Sequence, residues 1–395
     1  MAGRAPIAVI PTPRSRWCGG EVFGLGDPVS EARVLDRPLS QWRPPERLVA
    51  LSSEGPRSGP LILWGEDLWV SGKMLRVFEA AARAVGGDRP VRLVRPVAGP
   101  AAASDPLGRL PRVNGGAAIG FDLWYIPEGV EAPWPDPEGW PEALEEAVGV
   151  DVAARVHEIQ IDVDPMVSPT GRMGIAFSDV AAAPVGHWAE LTRTNLLAIG
   201  AQALEPGALR GALSLAWAAL RAVSLNPHKV LARATRRGRG CWIHPSAVVE
   251  GCHLGDRVKV DACAVLRGCV VGDDVKVGAL SIAEFSVIGR GAELQRQATA
   301  NLSVIYPGAR IGGLIQLGVA GRGCRHKFGA IGTDMNPVGP VKVLSPDGLR
   351  VVDIGYQGVC LGHEAFIAAN LTIAAGRQIE AGRVVLSESR AIIRR

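Results

Sequence analysis

Three stretches decide the fold: 254-LGDRVKV-260, 271-VGDDVKV-277 and 288-IGRGAEL-294. Their first residues, Leu254, Val271 and Ile288, lie 17 positions apart (271 − 254 and 288 − 271). Further on, Leu361, Ile367, Ile373, Ile379 and Val385 recur every six residues. A helix repeats after about 3.6 residues and a strand after about 2, so neither produces this pattern. A six-residue beat with a longer period near 18 describes three short strands per turn of a parallel β-helix. At each strand an aliphatic residue points inward, and Gly, Asp or Asn often follows to turn the corner. The same beat holds in two separate stretches over several coils, which accidental spacing in an ordinary β domain does not produce.

The beat opens with IHPSAVVEG at Ile243. In this it resembles the left-handed β-helix transferases. It looks most like proteins related to the bifunctional enzyme that makes UDP-N-acetylglucosamine. That enzyme joins a sugar-nucleotidyltransferase domain to a β-helix acetyltransferase domain. The resemblance covers 242–387 and rests on a repeat, so it specifies fold better than reaction. It implies a left-handed coil and a homotrimer of prisms packed side by side. It also implies acyl transfer from a coenzyme A thioester to an amino sugar or nucleotide sugar.

Length and composition bound the rest. A chain of 395 residues suits two domains. Hydrophobic residues at 47% and charged residues at 21% are a globular composition. A net charge of +4 and 5% aromatics give neither the charge nor the stacking platform of a nucleic-acid binder. The seven cysteines are odd in number and contain no CxxC pair, which argues against a disulfide framework or a zinc knuckle. MAGRAPIAVIPTPRSRW lacks the apolar core of a secretory signal, and no charge-free apolar run is long enough to span a bilayer. A cytoplasmic protein with no membrane or nucleic-acid partner is expected.

Three segments follow in order. Residues 1–180 read as a mixed α/β domain, with strands at Ile7 to Ile10, Leu61 to Trp64, Val91 onward and 119–126. A helix after Ser71, its cap, places Met74, Val77, Phe78 and Ala81 on one face. Strand, helix and strand make a βαβ unit. The resembled domain is a nucleotidyltransferase, whose first strand leads into a Gly-rich loop that cradles phosphates with backbone amides. Here PTPRSRWCGG follows the first strand, and Pro11 and Pro13 stiffen the backbone where free amides are needed. The domain therefore reads as nucleotidyltransferase-like with nucleotidyl transfer lost. Asp67 reads as a surface acid at a strand end rather than a metal ligand, and Arg14 and Arg16 as solvated loop residues.

Residues 181–240 read as a helical hairpin and a basic linker. The first helix holds Trp188, Leu191, Leu196 and Ile199. The second carries Leu209, Leu213, Trp217 and Leu220 on one face, expected to pack antiparallel to the first. Arg233, Arg236, Arg237 and Arg239 then cluster in the linker. Residues 241–395 are the β-helix, with an insertion at 319–355 where the beat lapses. Within it, VKVL and LRVVDI flank Ser345-Pro346-Asp347-Gly348, a hairpin sequence.

Acyltransferases of the resembled class use a histidine as general base on the acceptor. The candidates are His244, His253, His326 and His363. His326 leads, because Arg325 and Lys327 flank it and adjacent cations hold an imidazole neutral. Asp334 or Asn336 would orient it or the acceptor. Arg322, Arg325 and Lys327 would bind the phosphates of coenzyme A. The chain has no His-x4-His pair, which speaks against a zinc site of the carbonic-anhydrase kind, and no metal ligand is assigned. The other reading is a non-catalytic scaffold or regulatory partner with decayed sites.

Overall fold

The computed structural model describes residues 4–12, 20–49, 60–85, 87–96, 105–131, 144, 146–152, 156–162, 170–204, 207–222, 226–353 and 355–387. Most of PTPRSRWCGG, with Arg14, Arg16 and Cys18, lies outside them. The six described cysteines are free.

The C-terminal half is a parallel β-solenoid with three walls. The first wall runs in eight strands from Arg236–Arg237 to Gln378–Ile379, and the second in eight from Trp242–Ile243 to Val384–Val385. The third has seven, from Val248–Glu250 to Thr372–Ile373. Each strand is two or three residues long, so one side chain enters the core and its neighbour leaves it. The second wall shows the register: Val260, Val277, Leu294, Ile311, His326 and Ile367 stack inward, coil on coil. Each buried aliphatic in such a column contributes roughly 1.5–3 kcal/mol. The corner after the first wall needs a left-handed residue at every coil. Arg257, Asp274, Gly291 and Gly308 take φ of 58, 60, 66 and 71° there.

The insertion is narrower than the lapse in the beat suggests. Val319–Ala320, Arg325–His326 and Ile331–Gly332 are strands of an ordinary coil, one on each wall. The chain leaves the solenoid only after Gly332 and returns at Cys360. Between them, Lys342–Ser345 and Gly348–Val351 pair as the expected antiparallel hairpin.

The N-terminal domain is a mixed sheet ordered Ile7–Ile10, Leu61–Gly65, Ala118–Ile126, Val91–Pro96, Val148–Asp151. The expected βαβ unit is present, but Ala118–Ile126 lies between its two strands and runs antiparallel to both. Helix Gly72–Val85 covers the sheet with Met74, Leu75, Phe78 and Ala82. Ser71 caps it, its Oγ accepting the Met74 amide at 3.2 Å.

The two halves share one core. Val287, Val304, Val319 and Cys360 point outward from the first solenoid wall and are buried against Val22, Leu25, Trp188 and Leu191. Val343 and Val352 of the insertion join the same cluster. The insertion is therefore a clasp on the N-terminal domain. Helix Trp188–Leu204 sits at the centre of this contact and is buried on most of its surface. Helix Gly207–Ala222 departs from expectation: Leu213, Trp217 and Leu220 face solvent instead of packing on the first helix.

Candidate functional site

The coil containing His326 separates the residues that sequence places together. Strand alternation sends Arg325 outward and His326 inward. The imidazole occupies an aliphatic column between Ile311 and Ile367, 1% exposed, and neither ring nitrogen has a hydrogen-bond partner. The inward residues on the other two walls of this coil are Ala320 and Gly332, whose small size leaves room for the ring. Burial, not adjacent charge, lowers the pKa of His326 to about 4. Lys327 lies over the ring of Phe366, its Nζ 5.6 Å from the ring centroid. Asp334 accepts a hydrogen bond from Gln316 Nε2 at 2.9 Å, and burial raises its pKa. Asn336 Oδ1 accepts the Val338 amide in a local turn. His326, Asp334 and Asn336 thus form no catalytic constellation, and a core imidazole cannot reach a substrate.

His363 is placed differently. It follows Gly362 at a coil corner, where the solenoid meets the N-terminal loop around Asp27. Its Nδ1 accepts the Arg322 backbone amide at 2.7 Å. With Nδ1 accepting, the ring N–H is on Nε2, which lies 3.0 Å from Asp27 Oδ2. Those two atoms are in contact, but the angle falls short of an aligned hydrogen bond. The Arg322 guanidinium holds the other oxygen, Nη2 to Oδ1 at 2.9 Å. Burial pushes the Asp27 carboxyl up, but His363 and Arg322 together outweigh it and hold the pKa below the usual value. The Tyr306 ring lies 5.6 Å from His363, and its hydroxyl accepts the Arg33 amide at 3.2 Å. Of the three cations assigned to coenzyme A phosphates, Arg322 is tied to Asp27 and Arg325 projects from the second wall. Sequence reasoning named His363 but not Asp27, because 336 positions separate them and only docking of the N-terminal domain joins them.

Asp67 is fully buried rather than on the surface, and Thr12 Oγ1 donates to its Oδ1 at 2.9 Å. Burial lowers the pKa of nearby Arg43 to about 10, against the pull of Glu66 and Asp67. His187 precedes helix Trp188–Leu204 and is also internal: Glu190 Oε2 accepts its amide, and Arg109 pairs with Glu190 Oε1 at 2.8 Å. His187 Nε2 lies 3.0 Å from the Leu344 carbonyl of the insertion. These groups join elements of the fold to one another. Among the described residues no three His, Cys, Asp or Glu side chains converge as a metal site would require.

No protein-family model matches the chain, and no curated protein matches it. Among solved structures it is similar to a hexapeptide transferase family protein from Anaplasma phagocytophilum. Identity there is 12%, over 38% of this chain and 72% of that one, with a TM-score of 0.22. It is also similar to a polysialic acid O-acetyltransferase, at 16% identity over 37% of this chain and 79% of the other, TM-score 0.16. Likenesses this low carry no argument about chemistry. The solenoid rests on its own strand register.

Proposed function

We propose that this chain is a β-helix acyltransferase that moves an acyl group from a coenzyme A thioester to an amino sugar or nucleotide sugar. Its N-terminal domain, whose sequence places Pro11 and Pro13 after the first strand, no longer transfers nucleotides. The observation that carries this reading is the His363–Asp27 pair at a solenoid corner, with His363 14% exposed. Asp27 on Nε2 stabilises the imidazolium that forms when Nδ1 takes a proton. The acceptor amine or hydroxyl attacks the thioester carbon and gives its proton to Nδ1. The C–S bond breaks, and the coenzyme thiolate takes that proton back. The acceptor must displace the Arg322 amide from Nδ1 to do this. His363→Ala should lower turnover by about two orders of magnitude with coenzyme A binding unchanged by calorimetry. Full activity in that variant would remove His363 from the mechanism. If the unmodified protein neither binds coenzyme A nor acylates any amino sugar, the scaffold reading stands. One observation favours that second reading: Nδ1 already spends its lone pair on a backbone amide.

A homotrimer belongs to the same proposal. The third wall presents Val248, Val265, Ile282, Thr299, Leu314 and Ile331 outward in one column, and Ile282 and Ile331 are each 39% exposed. Three copies meeting along this column would remove apolar area from water. Sedimentation should show a trimer for the natural chain and a monomer for Ile282→Asp. A monomeric natural chain at micromolar concentration sinks the assembly.

A further inference from the structure

The helix Gly207–Ala222 and the basic segment after it have no role in the site above. Leu213, Trp217 and Leu220 fall at i, i+4 and i+7, so they line one helical face. They are 61, 61 and 67% exposed. Among the described side chains from 213 to 222, only Ala218 is buried. Leu231 on the next helix, Pro227–Ala234, adds a further 40%-exposed apolar side chain.

Charge sets this region apart from the rest of the chain. From 207 to 249 there are seven Lys and Arg residues and no Asp or Glu. The whole chain carries +4, so the remainder carries −3 once this +7 is removed. Lys229, Arg233 and Arg237 line a cavity of about 410 Å³ with Ala222 and Ala232. None of the three pairs with a carboxylate among the described residues. A cavity walled by three cations without counter-charge suits a phosphate group.

We propose that this helical pair is a docking surface for an anionic phospholipid bilayer. Leu213, Trp217 and Leu220 enter the headgroup boundary, and the Lys229–Arg233–Arg237 cavity receives a lipid phosphate. An apolar stripe carrying Trp beside an acid-free basic segment is the pattern of a helix lying in the membrane interface. No described helix is long and apolar enough to cross a membrane, so the contact is with the surface. The absence of a spanning segment, which led to the expectation of no membrane partner, does not bear on such a contact. The inference is independent of acyl transfer.

The test is co-sedimentation of the full chain with phosphatidylcholine vesicles, with and without phosphatidylglycerol. Binding is expected only to the anionic vesicles, weakening as salt rises. Changing Lys229, Arg233 and Arg237 together to Gln should weaken it roughly a hundredfold, at roughly fivefold per cation. Leu213→Ser with Trp217→Ser should weaken it about tenfold or more. Both sets alter exposed side chains, and unchanged circular dichroism would confirm intact folding. No retention on anionic vesicles, or retention untouched by both variants, overturns the proposal. So does a short RNA that displaces the protein from vesicles and binds it more tightly than they do. If the serine variant changes the sedimentation coefficient but not vesicle binding, the stripe is a contact between copies and the proposal falls.

Discussion

Gly313→Ala is expected to cost about 3 kcal/mol or more, or to prevent folding of the C-terminal coils. Successive coils repeat every 17 residues from His253 through Val270 and Val287 to Val304, but the next strand of that wall starts 15 later, at Val319. The two missing residues come from one corner. Strand Glu293–Leu294 is separated from Thr299–Asn301 by four residues, whereas Arg310–Ile311 is separated from Leu314–Gln316 only by Gly312 and Gly313. A Cβ on Gly313 would lie 1.9 Å from the Ala330 carbonyl oxygen, a backbone atom of the next coil. One on Gly312 would lie 2.9 Å from the Phe328 amide nitrogen. The Ala330 carbonyl accepts the Leu314 amide at 2.9 Å and cannot move without opening that ladder bond. Gly291 is the control: its φ is +66° but nothing lies within 4 Å, so alanine there should cost only about 1 kcal/mol. Urea denaturation of the two variants decides the matter. Equal midpoints would show that the corner relaxes and that its shortness is not what demands glycine.

His326→Leu should be at least as stable as the natural chain at pH 7 and clearly more stable at pH 5. The ordinary imidazole pKa of 6.5 falls to about 4 in the folded state through burial. Well above pH 6.5 the ring is neutral in both states and contributes no pH dependence. Below it, the unfolded chain binds a proton that the folded chain refuses, so stability falls as pH drops toward 4. The loss through this residue is about 2 kcal/mol between pH 7 and 5 and about 3 kcal/mol by pH 4. Leucine removes that slope and continues the column of Ile311 and Ile367. Part of the slope will remain, since burial lowers His187 to about 3 although the Leu344 carbonyl favours its protonated form. Asp27 acts in a different window. Its lowered pKa adds stability above the ordinary carboxyl value, and that stability is lost only as pH falls below it. Identical stability–pH curves for the two proteins between pH 7 and 5 would mean that His326 is solvated, and would return it to the list of possible bases.

Much of the fold was legible because a solenoid is a local object. Its period, inward aliphatics and turn residues recur within each coil, so the stretches from Leu254 and Leu361 each reveal it. The Ser345–Gly348 turn and the Ser71 cap were readable for the same reason, since their partners lie within a few residues. The insertion boundary was misread because the coil at 319–332 breaks the aliphatic beat with Ala320, His326 and Gly332 at inward positions. Those three fill one layer together, a compensation of volumes that no single position displays. The same break made His326 look like a base flanked by cations, although alternation along a strand puts neighbouring side chains on opposite faces.

By itself, the sequence determined that 242–318 and 356–387 would coil, that a βαβ unit would head the chain, and that 207–249 would be basic without acids. Only the tertiary structure decided which wall is covered. Val270, Val287, Val304 and Val319 on the first wall and Val248, Val265, Ile282 and Leu314 on the third are the same kind of column in the sequence. The first is covered, with Val287, Val304 and Val319 buried and Val270 partly so, because Trp188, Leu191 and the 20–35 loop settle on it, and the third stays more open. Docking also brings Asp27 to His363, while Leu213, Trp217 and Leu220 are left facing solvent. The physical reason is range. Repeat and propensity act within one coil or one helical turn, whereas burial depends on which distant surfaces exclude water together.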